Sequence, residues 1–207
     1  MSRLGKLWAL TALALAGCGS LFQTKALPPA LYMLSAAAGP PAGAATLRIA
    51  ADLAVLKARV RAGLDTDRIA ALYPDRRLEY FADARWSGPL DEVIQQLAVQ
   101  QFRATANLRN VGADASVFAG EYWLEIEVAG FQAEYSAAGA APPVVHVHFL
   151  ARVGTAADRH ILAVFEANAE QAAADNRMSA IVDAFDRAAD TALAEIVKGT
   201  VQVLGAR

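Results

Sequence analysis

The sequence predicts an α/β fold: one domain with a mixed, largely antiparallel sheet and two long amphipathic helices packed on it. Three observations carry this expectation. Leu90, Val93, Ile94, Leu97, Gln101 and Phe102 follow three-to-four spacing, as do Met178, Ile181, Val182, Phe185, Ala189, Ala192, Leu193, Ile196 and Val197. That period gathers each set on one side of a helix. Tyr122, Leu124, Ile126 and Val128 instead alternate with Glu121, Trp123, Glu125 and Glu127, the period of a strand with one buried face. Two further apolar stretches, 144–153 and 160–169, follow around a loop at Gly154–Asp158. Three successive antiparallel strands are the simplest arrangement.

The first segment of the chain is not part of that fold. Arg3 and Lys6 precede an apolar run from Leu7 to Leu15, which ends in Leu15-Ala16-Gly17-Cys18. A basic start, a short apolar stretch and small residues before the cut make a secretory signal. A cysteine directly after Leu-Ala-Gly matches the bacterial lipobox. The mature chain then begins at Cys18, with diacylglycerol on its thiol and a fatty acid such as palmitate on its amine. A spanning helix is not expected, since it needs about 20 apolar residues. Each buried methylene contributes about 0.8 kcal/mol, so three acyl chains would hold the protein at its membrane. Gly19 rather than Asp after the cysteine favours the outer membrane over the inner one. The expected division is a signal peptide at 1–17, a lipidated tether at 18–30 closing in Pro28-Pro29, and a folded domain at 31–207.

The remaining elements follow in order. Tyr32-Met33-Leu34 is a first short strand, then a Pro/Gly/Ala-biased connector runs over 36–45. Leu47–Val55, Arg68–Leu72 and Leu78–Ala82 are the next strands, the last two parted by the turn residues Pro74-Asp75. Ser87 is the expected N-cap of the first helix, with Pro89 in its first turn and Asp91 and Glu92 at the positive end of its dipole. After Ala129-Gly130 the apolar parity moves to Phe131, Ala133 and Tyr135. One extra residue at Gly130, a β-bulge, would restore the facing. Asp175 is the expected cap of the second helix, whose Asp183, Asp186, Arg187 and Glu195 lie mainly off the apolar stripe.

Composition narrows the function. Loss of the signal takes Arg3 and Lys6 and leaves 17 basic residues against 21 acidic ones, a net charge of −4. Nucleic acid is excluded as a partner class, because it calls for a clustered basic surface. Hydrophobic residues make up 56% of the chain, but much of this is alanine, so no further membrane span is implied. Cys18 is the sole cysteine and, once acylated, leaves no thiol for a disulfide. His146 and His148 share one strand face. A simple hairpin would place His160 near Arg152, about four ladder positions from His148, or roughly 13 Å. Three imidazoles so spread cannot meet one zinc at ~2.0–2.1 Å, and a solvated face accounts for them better. Asp65-Thr66-Asp67-Arg68 is expected as a turn into the following strand. No P-loop, H-E-x-x-H or G-x-S-x-G motif occurs, so no cofactor, metal or catalytic residue is assigned. Trp123 interrupts an otherwise acidic strand face, as a partner contact or as packing.

One pattern is more specific. Gly63-Leu64-Asp65-Thr66-Asp67-Arg68-Ile69, then Leu78-Glu79-Tyr80-Phe81, Arg85-Trp86 and Pro89-Leu90 resembles the signature of the ABC-type transport auxiliary lipoproteins, the PqiC-type group included. The likeness extends to Tyr32-Met33-Leu34, Gly130-Phe131-Gln132-Ala133-Glu134 and Ala184-Phe185. It departs at the end, where no tryptophan stands in the last helix. The resemblance implies a non-catalytic envelope component that docks an MCE-domain (mammalian cell entry) protein. Through that protein it would serve an inner-membrane ABC permease and ATPase moving phospholipid or a similar hydrophobic cargo. Arg68, Tyr80, Arg85 and Trp86 are then the partner-binding candidates, since arginines and large aromatics dominate interface energies. A ring-shaped MCE partner makes a homo-oligomer of this chain conceivable. The alternative is a general envelope lipoprotein with a scaffolding or assembly role and no cargo contact.

Overall fold

The alternating segment at 121–135 becomes the spine of the structure. The computed structural model describes residues 28–36, 49–113, 118–137 and 141–206; Cys18, the signal segment and most of the tether and connector lie outside them. Along the chain run β1 (Ala30–Tyr32), β2 (Ile49–Val55), β3 (Arg59–Val60), β4 (Arg68–Leu72), β5 (Leu78–Trp86) and α1 (Leu90–Thr105). Then come β6 (Leu108–Ala113), β7 (Tyr122–Glu134), β8 (Val144–Thr155), β9 (Ile161–Ala172) and α2 (Met178–Gly205).

β7 pairs along both edges. On one side it runs antiparallel to β8, which in turn pairs antiparallel with β9. The other side is shared in turn by β2 at Tyr122–Leu124, β3 at Glu127–Val128 and β4 at Ala133–Glu134, all parallel. β6 extends the sheet beyond β2, while β5 and then β1 extend it beyond β4. The sheet is therefore mixed, and its longest ladders are antiparallel, as expected. The bulge falls one residue before the expected Gly130. Val128 faces Phe149 and Gly130 faces His148, so Ala129 is the extra residue. Leu124, Ile126, Val128, Phe131 and Ala133 consequently all turn inward and are buried.

Both helices pack on that inward face. Phe131 of β7 lies 4.9 Å from Phe185 of α2 between ring centroids, and Trp86 meets both edge-on at 5.7 and 5.2 Å. Phe149 of β8 completes the cluster. Such edge-on and tilted pairs add to the area that each ring buries. α1 contributes Leu90, Ile94, Leu97 and Phe102 to the same core. Asp183, Arg187 and Glu195 point to solvent from α2. Asp186 instead binds the chain just after β1: Ser35 donates both its backbone N–H and its hydroxyl to that carboxylate, each at 2.8 Å.

Several boundaries differ from expectation. β1 covers Ala30–Tyr32 rather than Tyr32–Leu34, because its partners Ala84–Trp86 end there; Met33 is 75% exposed, and Leu34 turns into the core. β5 continues four residues past Ala82, alternating buried Ala84 and Trp86 with Asp83 and Arg85. Ser87 is not the cap of α1: its N–H is taken by Tyr32 O at 2.8 Å, and Pro89 holds the cap position with no side-chain bond. Nor is Asp175 the cap of α2, which starts after Arg177. β6 went unexpected because Leu-Arg-Asn-Val-Gly-Ala offers only two large apolar residues. His160 stands opposite Thr155, not Arg152. The turn is tighter than expected, with Arg159 at φ 57° and the Asp158 carboxylate accepting from Thr155 and from His160 N–H. Gly154 is required beside it, since a Cβ there would lie 2.3 Å from the Trp123 ring.

Phe185→Ala should cost about 3–5 kcal/mol and move the urea midpoint accordingly. Phe185→Leu should recover part of that loss.

Candidate docking site

The signature residues assemble into a clasp between β4, β5 and the start of α1. The turn over 61–67 is pinned by its own main chain: Trp86 N–H donates to Asp67 O at 2.7 Å and Leu90 N–H to Thr66 O at 3.2 Å. Thr66 Oγ1 accepts from Arg68 N–H at 3.3 Å, fixing the entry into β4. Gly63 has φ +90°, a conformation that favours glycine, and its carbonyl accepts the Tyr80 hydroxyl at 2.6 Å. The Arg68 guanidinium lies 4.0 Å above the Tyr80 ring, a cation–π contact. Arg85 Nη1 reaches Asp67 Oδ1 at 2.7 Å, with both side chains more than a third exposed.

The four sequence candidates thus divide. Arg68, Tyr80 and Arg85 gather at the surface, and Arg68 faces Arg85 directly across the ladder. Trp86 is 1% exposed and belongs to the aromatic core, so it supports that surface from beneath. The turn reading of Asp65–Arg68 holds, but Asp67 pairs with Arg85 rather than with its neighbour Arg68. β5 bulges strongly here, with Arg68 opposite Arg85 and Ala70 opposite Tyr80. That irregularity brings residues distant in sequence together.

Other surface groups form closed arrangements that no motif announced. Arg109 grips Asp52 through two bonds of 2.8 and 2.9 Å and reaches Glu121 at 2.9 Å. That grip, with a further bond from the Asn110 amide, holds the Asp52 carboxyl below its ordinary value, and Arg109 is raised in return. Arg152 bridges Glu125 and Glu127, while Arg59 also approaches Glu125, so the acidic face of β7 is a lattice of ion pairs. Lys57 binds Asp91 and Glu92 at the start of α1. Tyr73 and Tyr135 stack 5.2 Å apart with Arg77 over Tyr73. Trp123 is half-buried against Gly154 and donates to Thr155 O, which accounts for it as packing. His146 lies between Glu134 and Glu170, and His148 beside Glu166. Among the described residues no group of three or more His, Cys, Asp or Glu is placed to hold a metal ion.

The chain belongs to the family of ABC-type transport auxiliary lipoprotein components, whose model matches residues 32–197. It is therefore a non-catalytic auxiliary component linked to ABC-type transport. Solved structures agree on the fold. A protein from Xanthomonas campestris superposes with a TM-score of 0.73 at 20% identity, over 84% of this chain and 96% of that one. An uncharacterised protein gives 0.60 at 14% identity over 84% and 99% of the two chains. A protein from Chlamydia trachomatis gives 0.51 at 11% identity over 76% and 99%. No curated protein matches the sequence. Among the described residues no helix is long and apolar enough to cross a membrane.

Asp52 sets a pH dependence whose sign follows from its lowered value. The stability it contributes is fully present above the unfolded carboxylate value of about 3.9 and is lost as pH falls through the lower native one. Asp52→Asn should therefore lower the urea midpoint at neutral pH, and the gap to the wild type should close as pH drops through that window. Parallel midpoint curves would show that this carboxylate is not coupled to folding.

Proposed function

We propose that this chain is an outer-membrane-anchored periplasmic lipoprotein that docks an MCE-domain protein. Through it the chain serves an inner-membrane ABC permease and ATPase that move phospholipid or another hydrophobic molecule. The observation that carries this reading is the family match across residues 32–197, joined to a lipobox at Cys18. Cys18 holds the acyl chains, residues 18–30 span the distance to the domain, and the domain presents a binding surface. A homo-oligomer would multiply that surface around a ring-shaped partner.

The clasp is the docking surface. Arg68 and Arg85 are like charges set directly opposite, an arrangement that costs stability unless offset. Asp67 offsets one and the Tyr80 ring the other. Both guanidinium groups keep further donors for acidic groups on a partner. The buried Trp86 and the bonded turn hold the surface in shape before the partner arrives, which lowers the ordering cost of association.

Arg68→Ala and Arg85→Ala should each weaken retention of the MCE partner from detergent extracts by about 30-fold, as expected for interface hot spots. Their unfolding midpoints should barely move, because an exposed ion pair such as that of Arg85 contributes about 0–1 kcal/mol and an exposed cation–π contact such as that of Arg68 about 0.5–1 kcal/mol. Normal folding with full retention of the partner would place the docking surface elsewhere. Cys18→Ala should abolish palmitate incorporation and release the chain from the outer-membrane fraction. Continued labelling of that variant would remove the anchor from this reading.

A further inference from the structure

Three strands end the sheet, and they differ in how their edges are closed. β1 is three residues long, too short to template a partner strand. β6 is guarded by α1: Arg103 Nε and Nη2 both donate to Val111 O, at 3.0 and 2.8 Å. β9 runs for twelve residues, with no proline, lysine or arginine. Among the described strands it pairs with β8 alone.

The ladder fixes which of its groups face outward. Ala173 N–H donates to Pro143 O at 2.9 Å, and the register holds without a slip from Val144–Ala172 to Val153–Ala163. Alternation in an antiparallel ladder then turns the main-chain groups of the odd-numbered residues 163–171 toward β8. Those of Val164, Glu166, Asn168 and Glu170 are directed away from it. Their side chains lie on the open face of the sheet, with Val164 60% exposed and the two glutamate side chains 59% and 69% exposed. An edge of this length is normally shielded by charge, proline or a covering segment unless it pairs with another strand.

Charge decides what kind of strand fits. Glu166 and Glu170 are met from β8 by His148 at 3.0 Å and His146 at 3.3 Å, and β9 itself supplies no basic side chain. A second copy of β9 brings none in any register, and paired antiparallel about Asn168 it would set Glu166 against Glu170, which is unfavourable. We propose that the β9 edge is a strand-addition site for an extended segment of another protein carrying Lys or Arg at alternate positions. Main-chain bonds to Val164, Glu166, Asn168 and Glu170 give affinity, and the basic side chains beside the two glutamates give selectivity. This edge is acidic and separate from the arginine clasp, so either surface can fail its test without the other.

The test uses the full chain in detergent micelles and a fluorescein-labelled peptide of about ten residues alternating lysine with threonine. Anisotropy should show saturable binding that weakens with salt, and amide exchange should slow selectively at Val164, Glu166, Asn168 and Glu170. The same peptide with glutamate in place of lysine should not bind. Asn168→Pro removes one outward N–H while sparing the ladder to β8, and should weaken binding at least about tenfold. Glu166→Lys together with Glu170→Lys should transfer the preference to the glutamate peptide. Equal binding of both peptides, or indifference to these variants, overturns the proposal. So does sedimentation showing the edge closed by a second copy. Exchange protection of the four amides in the chain alone overturns it too, since one of its own segments would then lie there.

Discussion

A strand has two edges, and β7 is paired along both. On one edge β8 follows it from Tyr122 to Glu134; on the other β2, β3 and β4 each take a short stretch. This is possible only because the strand is thirteen residues long and because Ala129 is inserted where the side chains would otherwise change face. Without that insertion Phe131 and Ala133 would turn to the wet side, and α2 would lose the ring against which Phe185 packs. The segments of the first half are separate pieces that share a neighbour. Their mutual placement is therefore a property of β7.

How far the sequence disclosed this depends on the range of the interaction involved. Periodicity is local, so β4, the two helices and the β7–β8–β9 meander were legible, and the parity change after Ala129-Gly130 located the bulge to within a residue. β6 was not legible, because Leu108–Ala113 becomes a strand only by lying beside β2. β5 looked shorter than it is, since its Ala82–Trp86 half is irregularly paired and takes its facing from Trp86 in the core. The expected caps failed for a related reason. A tertiary bond from Ser87 N–H to Tyr32 O fixes the backbone at that residue, and the cap position falls on Pro89 instead. Of the candidate site, the residue types were legible but their roles were not: nothing in the spacing says that Arg85 answers Asp67 while Arg68 lies on Tyr80.

The signature positions have a physical meaning beyond kinship. Trp86, Phe131 and Phe185, from three separated motifs, touch one another in the core. Gly63, Thr66 and Asp67 close a turn over the same tryptophan. Solved structures at 11–20% identity superpose on the same fold. The surface arginines stand on that frame, Arg85 paired with Asp67 and Arg68 lying on the Tyr80 ring.

Ser35 and Asp186 have a mechanical consequence. Their two bonds lie just past β1, seen from the N terminus. A tug arriving from that end first meets three strand residues held on β5, then a carboxylate set in a helix of 28 residues. The short strand can peel away as a fuse while the helix acts as a backstop. Strain applied ahead of β1 can thus be absorbed before it disturbs the aromatic core or the surfaces beyond it.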